Sequence, residues 1–254
     1  MTARGRLAFW TNRLLESRGY EVRRVSPALI GPTNELRMTL EFVIAHLAAR
    51  RPELTILQVG AFDGVTGDPV VDALDRYGCH GVLLEPQAGP FELLRELHAG
   101  RPNVQVFNIA VSDCDGQRDL FVVDPTEGMP EWAHQLASFD RSTIEAHKQW
   151  FPDQLIRIKT MTVDTWTFDT VLARAGVRSV DMLQIDAEGY DLELLRLFDV
   201  PARRPWIVNF EHTHLSRANR DEAVELLVDN GYRVAMSDPR VGDTVAYRQD
   251  AEKR

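Results

Sequence analysis

The sequence has little cysteine, no surplus of positive charge and no long hydrophobic run. Its two cysteines, Cys79 and Cys114, have neither metal-ligand spacing nor the density of a disulfide scaffold, which excludes a disulfide-stabilised secreted domain. No stretch reaches the roughly 18 apolar residues of a membrane-spanning helix, and the N-terminus lacks the apolar core of a signal peptide. We therefore expect a cytoplasmic protein with reduced thiols and no membrane span.

The balance of charge disfavours a nucleic acid as the main partner. Lys and Arg total 29 against 38 Asp and Glu, so the formal net charge is -9, and a polyanion would be repelled. A chain of 254 residues with 44% hydrophobic residues can form one large domain with a buried core. We expect a small-molecule partner, and the sequence leaves a homo-oligomer open.

Strand and helix patterns alternate from about Leu54 onwards, which is typical of a parallel sheet with helices on both faces. Residues 1–50 are expected to form a helical extension, with a first helix that ends at Gly19. Residues 51–254 are expected to form the main domain, with an insertion at about 125–153.

The predicted sheet is mostly parallel and closes on an antiparallel strand. A helix with Asp68 as its N-cap is expected after the first strand. The last two strands form a hairpin, which introduces the antiparallel strand. The predicted strands are 54–60, 81–85, 104–111, 120–123, 155–163, 180–186, 206–211, 232–236 and 244–248.

A glycine-containing turn and a later acid suggest a nucleoside site. In open α/β sheets, ligands bind beyond the carboxyl ends of the strands. Gly60 and Gly64 follow the first strand and would let the backbone approach a ligand. Glu85 ends the next strand 21 residues after Gly64, where a carboxylate can accept hydrogen bonds from both ribose hydroxyls of an adenosine. The G-x-x-x-G spacing differs from the G-x-G-x-x-G of pyrophosphate sites and favours a nucleoside without phosphates; a structural turn is the alternative.

In these and two further blocks, the sequence resembles the FkbM-type methyltransferases. The resemblance implies a Rossmann-like methyltransferase fold with a seven-stranded sheet, S-adenosylmethionine as donor, and O-methylation of a hydroxyl on a sugar, lipid or natural-product small molecule. The blocks are Val59-Gly60-Ala61 with Gly64, Glu85-Pro86, Asn108-Ile109-Ala110-Val111-Ser112-Asp113, and Ile185-Asp186-Ala187-Glu188-Gly189-Tyr190.

The resemblance also implies a set of donor-binding residues. Glu85 would hold the ribose, Asn108 would lie near the adenine, and Asp186 would lie beside the transferring methyl group. The whole set is Gly60, Ala61, Phe62, Asp63, Gly64, Glu85, Pro86, Asn108, Ala110 and Asp186. The sequence departs from the family pattern at Gln58, Phe62 and Gln184.

Three residues at strand ends are candidates for catalysis: Asp186, Glu211 and His212. Methyl transfer requires alignment of acceptor and donor and removal of the acceptor proton, and His212 is a base near neutral pH. Because neighbouring strands end at Asp186 and Glu211, the three side chains are also a candidate site for Mg or Mn. Hydrogen-bonded loop residues without a catalytic role are the alternative.

The insertion carries more aromatic residues than a solvated loop requires. It is predicted to close over the acceptor as a lid, with a small satellite core as the alternative. Its aromatic residues include Trp132, Phe139, Trp150 and Phe151.

Two other functions would use the same glycine-containing turn and the same acid, Glu85. One is a nicotinamide-dependent oxidoreductase, against which the glycine spacing argues. The other is a non-catalytic nucleoside-binding module, against which the acids at three strand ends argue. The fold alone does not separate them, because this architecture supports many reactions.

Overall fold

The computed structural model describes residues 40–51, 53–124, 131–147, 157–236 and 242–248. The helix expected to end at Gly19 lies outside these residues, as do 125–130 and 148–153 of the expected insertion. None of the helices in the described part of the chain combines the length and apolarity that a membrane crossing requires.

A seven-stranded sheet forms the centre of the molecule. Its strands, in spatial order, are β10 (Tyr232–Met236), β11 (Asp243–Arg248), β9 (Ile207–Glu211), β8 (Met182–Ile185), β1 (Thr55–Val59), β2 (His80–Leu84) and β3 (Val104–Phe107). Strand β11 runs antiparallel to both of its neighbours, and all other neighbouring pairs are parallel. The predicted mostly parallel sheet with one antiparallel strand is confirmed.

Helices cover both faces of this sheet because successive side chains of a strand point to opposite faces. The helices are α1 (Leu40–Ala48), α2 (Val71–Tyr77), α3 (Ala88–His98), α4 (Arg141–Ala146), α5 (Phe168–Ala175), α6 (Asp191–Leu197), α7 (Val200–Arg203) and α8 (Arg217–Asp229). Ile56 and its face pack against α1, α2 and α3, while Leu57 and the other face pack against α5, α6 and α8. A short 3-10 helix spans Glu131–Gln135.

A second, four-stranded sheet is built from the chain between β3 and α5. Its spatial order is β4 (Ala110–Val111), β7 (Arg157–Trp166), β5 (Gly116–Asp124) and β6 (Ala137–Ser138). Strands β5 and β7 form a long antiparallel ladder, from Gly116 opposite Thr165 to Asp124 opposite Arg157. The sequence predicted strands in this region but not that they form a separate sheet.

Several element boundaries differ from the prediction, and two of these differences change the role of a residue or segment. The strand expected over 104–111 is two strands in different sheets, β3 and β4, because the chain leaves the main sheet at Asn108. Helix α2 begins at Val71, and Asp68 does not cap it. The Asp68 carboxylate instead accepts the backbone N–H of Val70 at 2.6 Å and the side-chain amide of Gln58 at 3.2 Å.

Candidate active site

A cavity lies beyond the carboxyl ends of β1, β2 and β8, where the sequence predicted the ligand. Among the predicted site residues, those that line it are Gly60, Ala61, Phe62, Glu85, Pro86, Ala110 and Asp186. Five other predicted site residues are not among the described residues that line the cavity: Asp63, Gly64, Asn108, Glu211 and His212. The first three of these shape the loops around the cavity, as the following contacts show.

Gly60 is where the turn after β1 touches the loop after β8. Its backbone has φ +78°, and a Cβ at this position would lie 1.9 Å from the carbonyl oxygen of Asp186. Its N–H donates to the carbonyl of Leu84 at 3.0 Å. Only glycine allows this approach, so the turn, the end of β2 and the loop after β8 are held together.

Asp63 and Gly64 give the same turn its shape. The Asp63 carboxylate accepts the N–H groups of Val65 at 2.9 Å and Thr66 at 2.7 Å. Burial alone would raise the pKa of Asp63, but these hydrogen bonds outweigh it and lower the pKa. Gly64 has φ +74° and lies against Leu94 of α3, which a Cβ would approach to 2.7 Å. Both residues support the turn from behind the cavity wall.

Glu85, at the end of β2, joins two loops of the cavity. One carboxylate oxygen accepts the N–H of Phe62 at 2.9 Å, and the other accepts the N–H of Gln87 at 2.7 Å. The residue is 3% exposed, and burial raises the pKa of its carboxyl to about 7 despite these two hydrogen bonds. Each oxygen has a further lone pair for a ligand hydroxyl.

Asn108 supports the loop after β2 from outside the cavity. Its side-chain amide donates to the carbonyl of Glu85 at 2.8 Å and to that of Pro86 at 3.0 Å. The neighbouring Ile109 and Ala110 line the cavity instead. Asn108 therefore positions Glu85 and Pro86 through their backbone.

Gln58 places an unpaired acceptor in the cavity wall. It is 2% exposed, and its amide nitrogen donates to Asp68. Since the nitrogen is thus assigned, the remaining amide atom is Oε1, which is buried without a hydrogen-bond partner among the described residues. Leaving such an atom unpaired costs about 1–3 kcal/mol, which a donor group on a ligand would recover.

Three acids meet beyond β8 and β9, and we refer to Asp186, Glu188 and Glu211 as the carboxylate cluster. Their oxygens lie within 4.8 Å of one another, because parallel pairing of Ile185 with Phe210 places both strand ends side by side. Asp186 is open to the cavity, yet the surrounding protein and the charges of Glu211 and Glu188 raise its pKa well above the usual value. Burial likewise raises the pKa of Glu188.

The histidine beside this cluster is His214, and the predicted grouping with His212 is wrong. His214 Nε2 lies 3.0 Å from Glu188 Oε2 and 3.4 Å from Glu211 Oε1. Burial would lower the pKa of His214, but its interactions with Glu188 and Glu211 raise that pKa to about 10. His214 is therefore a cation at neutral pH.

The His212 side chain points away from the carboxylate cluster because successive side chains of an extended chain alternate, and the preceding residue, Glu211, points into the cluster. It is fully buried, and its Nδ1 lies 2.9 Å from the hydroxyl of Thr244 in β11. A turn closed by the N–H of Leu215 on the carbonyl of His212 then brings His214 to the cluster.

Sequence reasoning did not assign roles to Glu188, His214 or His147. Glu188 lies within the motif Ile185–Tyr190 and His214 lies two residues after His212, so both had a local signal. His147 follows α4 and its ring centroid lies 4.5 Å from that of His214. No sequence pattern links these two histidines, because they are brought together only by the packing of α4.

Aromatic residues form another wall of the cavity. Phe139 and Tyr190 line it and contact each other edge to face, with ring centroids 5.5 Å apart. The Arg118 guanidinium lies over the Phe139 ring at 4.3 Å. Phe139 belongs to the expected insertion, so part of that segment contacts the cavity. The Trp132 side chain, Trp150 and Phe151 lie outside the described part of the chain.

Comparisons with known proteins find similarity to methyltransferases. A family model for the methyltransferase FkbM domain matches residues 58–234. The chain is 22% identical over 183 residues to the 2-O-methyltransferase NoeI of Sinorhizobium fredii (strain NBRC 101917 / NGR234), covering 72% of this chain and 71% of that protein.

Solved structures with a similar fold include two methyltransferases. For methyltransferase FkbM from Methylobacillus flagellatus KT, the TM-score is 0.46 at 11% identity, covering 89% of this chain and 48% of that one, so this chain spans about half of its length. For the delta-N METTL16 MTase domain, the TM-score is 0.44 at 12% identity, covering 96% of each chain.

The family match spans most of the chain and every block on which the resemblance rests. It includes the turn at Gly60, the acid at Glu85 and the motif Ile185–Tyr190. The strand order of the main sheet, with β11 antiparallel, is that of the Rossmann-like methyltransferase fold. The chain therefore belongs to the FkbM family of S-adenosylmethionine-dependent methyltransferases.

Proposed function

We propose that this protein transfers a methyl group from S-adenosylmethionine to a hydroxyl group of a sugar or another small molecule. When bound, S-adenosylmethionine supplies a methyl group on a positively charged sulfur, and the acceptor oxygen displaces this sulfur in line. The residues of the chain have to bind this donor, hold the acceptor in line with it and remove the acceptor proton.

The cavity residues fit the donor. Gly60 lines the cavity, and its lack of a Cβ lets the turn after β1 lie against the Asp186 carbonyl at the cavity wall. Gln58 Oε1 is a buried acceptor for which the described part of the chain offers no hydrogen-bond partner, and it suits the amino group of the donor. Glu85 keeps lone pairs for the ribose hydroxyls. These three features stand on adjoining loops of one cavity.

The proposal rests mainly on one observation, the position of Asp186. Its carbonyl oxygen lies against Gly60 of the donor turn, while its side chain is open to the same cavity. An acceptor hydroxyl bound to the Asp186 carboxylate would thus be held next to the donor. Because the surrounding protein and the neighbouring acids raise the pKa of Asp186, its carboxylate is a stronger base toward a hydroxyl than an ordinary aspartate.

A hydroxyl acceptor is also supported by the relative NoeI, which is named as a 2-O-methyltransferase. Acidic side chains accept hydrogen bonds from hydroxyls, and an apolar ring can lie against the C–H face of a sugar. Asp186 with Glu188, and Phe139 with Tyr190, offer these two kinds of group on the cavity wall. His212 contacts β11, so we assign the base to Asp186.

The cofactor is tested by calorimetric titration with S-adenosylmethionine, S-adenosylhomocysteine and NAD. We expect the first two to bind and NAD not to bind. Binding of NAD alone would overturn the donor assignment in favour of an oxidoreductase.

The acceptor is then tested with labelled donor and a panel of sugars and hydroxylated small molecules. We expect Asp186→Asn to lower kcat by roughly 10²–10⁴-fold, the range for loss of a general base, while S-adenosylhomocysteine still binds. The control is Asp72→Asn, because Asp72 is exposed and pairs with Arg76 on α2. Donor binding without turnover of any hydroxyl acceptor would instead support a non-catalytic module.

A further inference from the structure

Two histidines and a glutamate from three separate elements meet beside the cavity. His147 follows α4, Glu188 lies in the loop after β8, and His214 lies in the turn after β9. One ligand atom from each of the three lies within 4.8 Å of the other two. Residues this far apart in sequence share no local turn or cap that would explain their convergence.

His147 presents a buried nitrogen with an unused lone pair. Its Nδ1 lies 2.8 Å from the carbonyl oxygen of Thr143, and a carbonyl can only accept, so Nδ1 carries the proton. Nε2 is then an acceptor, and it is buried without a hydrogen-bond partner among the described residues. The residue is 3% exposed. A ring N–H held by a backbone carbonyl, with the other nitrogen free, is the usual arrangement of a metal-binding histidine.

Glu188 and His214 contact each other directly. Glu188 Oε2 lies 3.0 Å from His214 Nε2, the separation of an ion pair. Two ligand atoms at adjacent positions around one metal ion lie about as far apart, so an ion fits between them with little movement of the side chains.

The charge around these residues is also unbalanced. Asp186, Glu188 and Glu211 form the carboxylate cluster, and Glu211 Oε2 is buried without a hydrogen-bond partner in the described part of the chain. His214 Nε2 lies 3.0 Å from Glu188 Oε2 and 3.4 Å from Glu211 Oε1. A divalent ion bound among these atoms would counter the charge of the carboxylates and use the lone pairs that have no hydrogen-bond partner.

We propose that His147 Nε2, His214 Nε2 and the Glu188 carboxylate bind a divalent transition-metal ion, with Glu211 beside it. Two imidazole nitrogens and one carboxylate suit Zn, Mn, Fe(II) or Co, whereas Mg prefers oxygen ligands. This set replaces the Asp186, Glu211 and His212 grouping and leaves Asp186 free for the acceptor. The site does not depend on which acceptor the enzyme uses.

The ion would link the segment that carries β6 and α4 to the loops after β8 and β9. Helix α4 begins at its N-cap Asp140, directly after the cavity residues Ser138 and Phe139. Ser138 Oγ already donates to the carbonyl of Glu188 at 3.1 Å. A metal between His147, Glu188 and His214 would add a second and stronger tie, and so would hold this wall of the cavity in place.

The test uses the full chain without a histidine tag, freed of metal by chelation and dialysis. Co is titrated while visible absorption is recorded, and Zn, Mn and Mg are titrated by calorimetry. We expect one Co per chain with ligand-field absorption, tighter binding of Zn and Mn than of Mg, and a rise in Tm on metal addition. Failure of the wild-type protein to bind any of these ions at one per chain would overturn the proposal.

Variants then locate the ion. His147→Asn and His214→Asn are each expected to weaken Co and Zn binding at least tenfold, whereas His80→Asn, at the exposed start of β2, leaves it unchanged. Circular dichroism and S-adenosylhomocysteine binding show that each variant is folded. Equal metal affinity in folded wild-type and variant proteins would reject these ligands. Because donor binding is measured separately, a failure here leaves the proposed methyl transfer untouched.

Discussion

At the scale of single residues, Gly60 has the strictest requirement. Two demands coincide there: a left-handed backbone with φ +78° and a contact with the Asp186 carbonyl that excludes any Cβ. Gly176 at the end of α5 has a similar φ of +68° but open space around it. Substitutions at Gly60 and Gly176 therefore separate the free-energy cost of the backbone angle from that of the contact with Asp186.

We expect Gly60→Ala to lower the free energy of unfolding by about 3 kcal/mol, as for other severe steric substitutions, and to weaken S-adenosylhomocysteine binding. Gly176→Ala should cost only about 1 kcal/mol, the penalty for a left-handed alanine, and leave binding unchanged. Urea unfolding and calorimetry measure the two effects. Equal costs for both variants would show that the contact with Asp186 does not constrain the turn.

Glu85 should give the protein a pH-dependent stability. Its carboxyl has a pKa of about 7 in the folded protein against an ordinary value of 4.5. A raised pKa of an acid means that the folded state holds its proton longer than the unfolded state. Stability is therefore lost as pH rises from about 4.5 to 7, by roughly 3 kcal/mol in total at 1.36 kcal/mol per pH unit.

The check is urea unfolding of wild-type protein and Glu85→Gln at pH 5 and pH 8. The glutamine variant cannot ionise, so its stability relative to wild type should be higher at pH 8 than at pH 5 by about 3 kcal/mol at most. Parallel behaviour of the two proteins over this range would refute the raised pKa of Glu85.

At the scale of elements, the segment with β6 and α4 forms part of the cavity wall. Phe139 packs on Tyr190 and beneath Arg118, and this wall faces the place where we put the acceptor. The predicted closure of residues 125–153 over the acceptor stays a prediction, for which hydrogen exchange with and without ligands is the test.

We expect Phe139→Ala to raise the KM for the acceptor while leaving S-adenosylhomocysteine affinity unchanged, because the ring packs against Tyr190 and Arg118, on the wall to which we assign the acceptor. Phe121→Ala is the matched control, since Phe121 is a half-buried ring in β5 that packs into a separate small core. Steady-state kinetics and calorimetry distinguish the two. A loss of donor affinity in Phe139→Ala would place the ring at the donor instead.

At the scale of the whole molecule, donor binding and folding are coupled, because the cavity is built from loops on several strands. A ligand that binds only the folded state at 100 times its Kd stabilises the protein by about 2.7 kcal/mol. For a domain of this size, each kcal/mol raises Tm by roughly 2–4 °C.

We therefore expect S-adenosylhomocysteine at that excess to raise Tm by roughly 5–10 °C, while NAD at the same concentration leaves it unchanged. Glu85→Ala should weaken S-adenosylhomocysteine binding by about 1.5–3 kcal/mol, the range for hydrogen bonds to a charged group, and so remove most of the shift. Differential scanning calorimetry measures both. An unchanged shift in a folded Glu85→Ala variant would disprove the ribose assignment.

The sequence by itself determined the features that depend on local order and on strand adjacency. Alternating strand and helix patterns were enough for the main sheet, and the glycines and Glu85 marked its ligand end. The neighbouring strand ends at Asp186 and Glu211 also followed, since both strands are buried and parallel. These features are encoded within windows of a few residues, which is why pattern and spacing reveal them.

Only the tertiary structure decided the rest. The second sheet depends on pairing β5 with β7 across an intervening segment, and no local pattern specifies such a register. The choice of His214 over His212 depends on how one turn reverses after β9, and the position of His147 depends on how α4 packs. Side chains distant in the chain meet only when their elements dock, so their chemistry is a property of the fold.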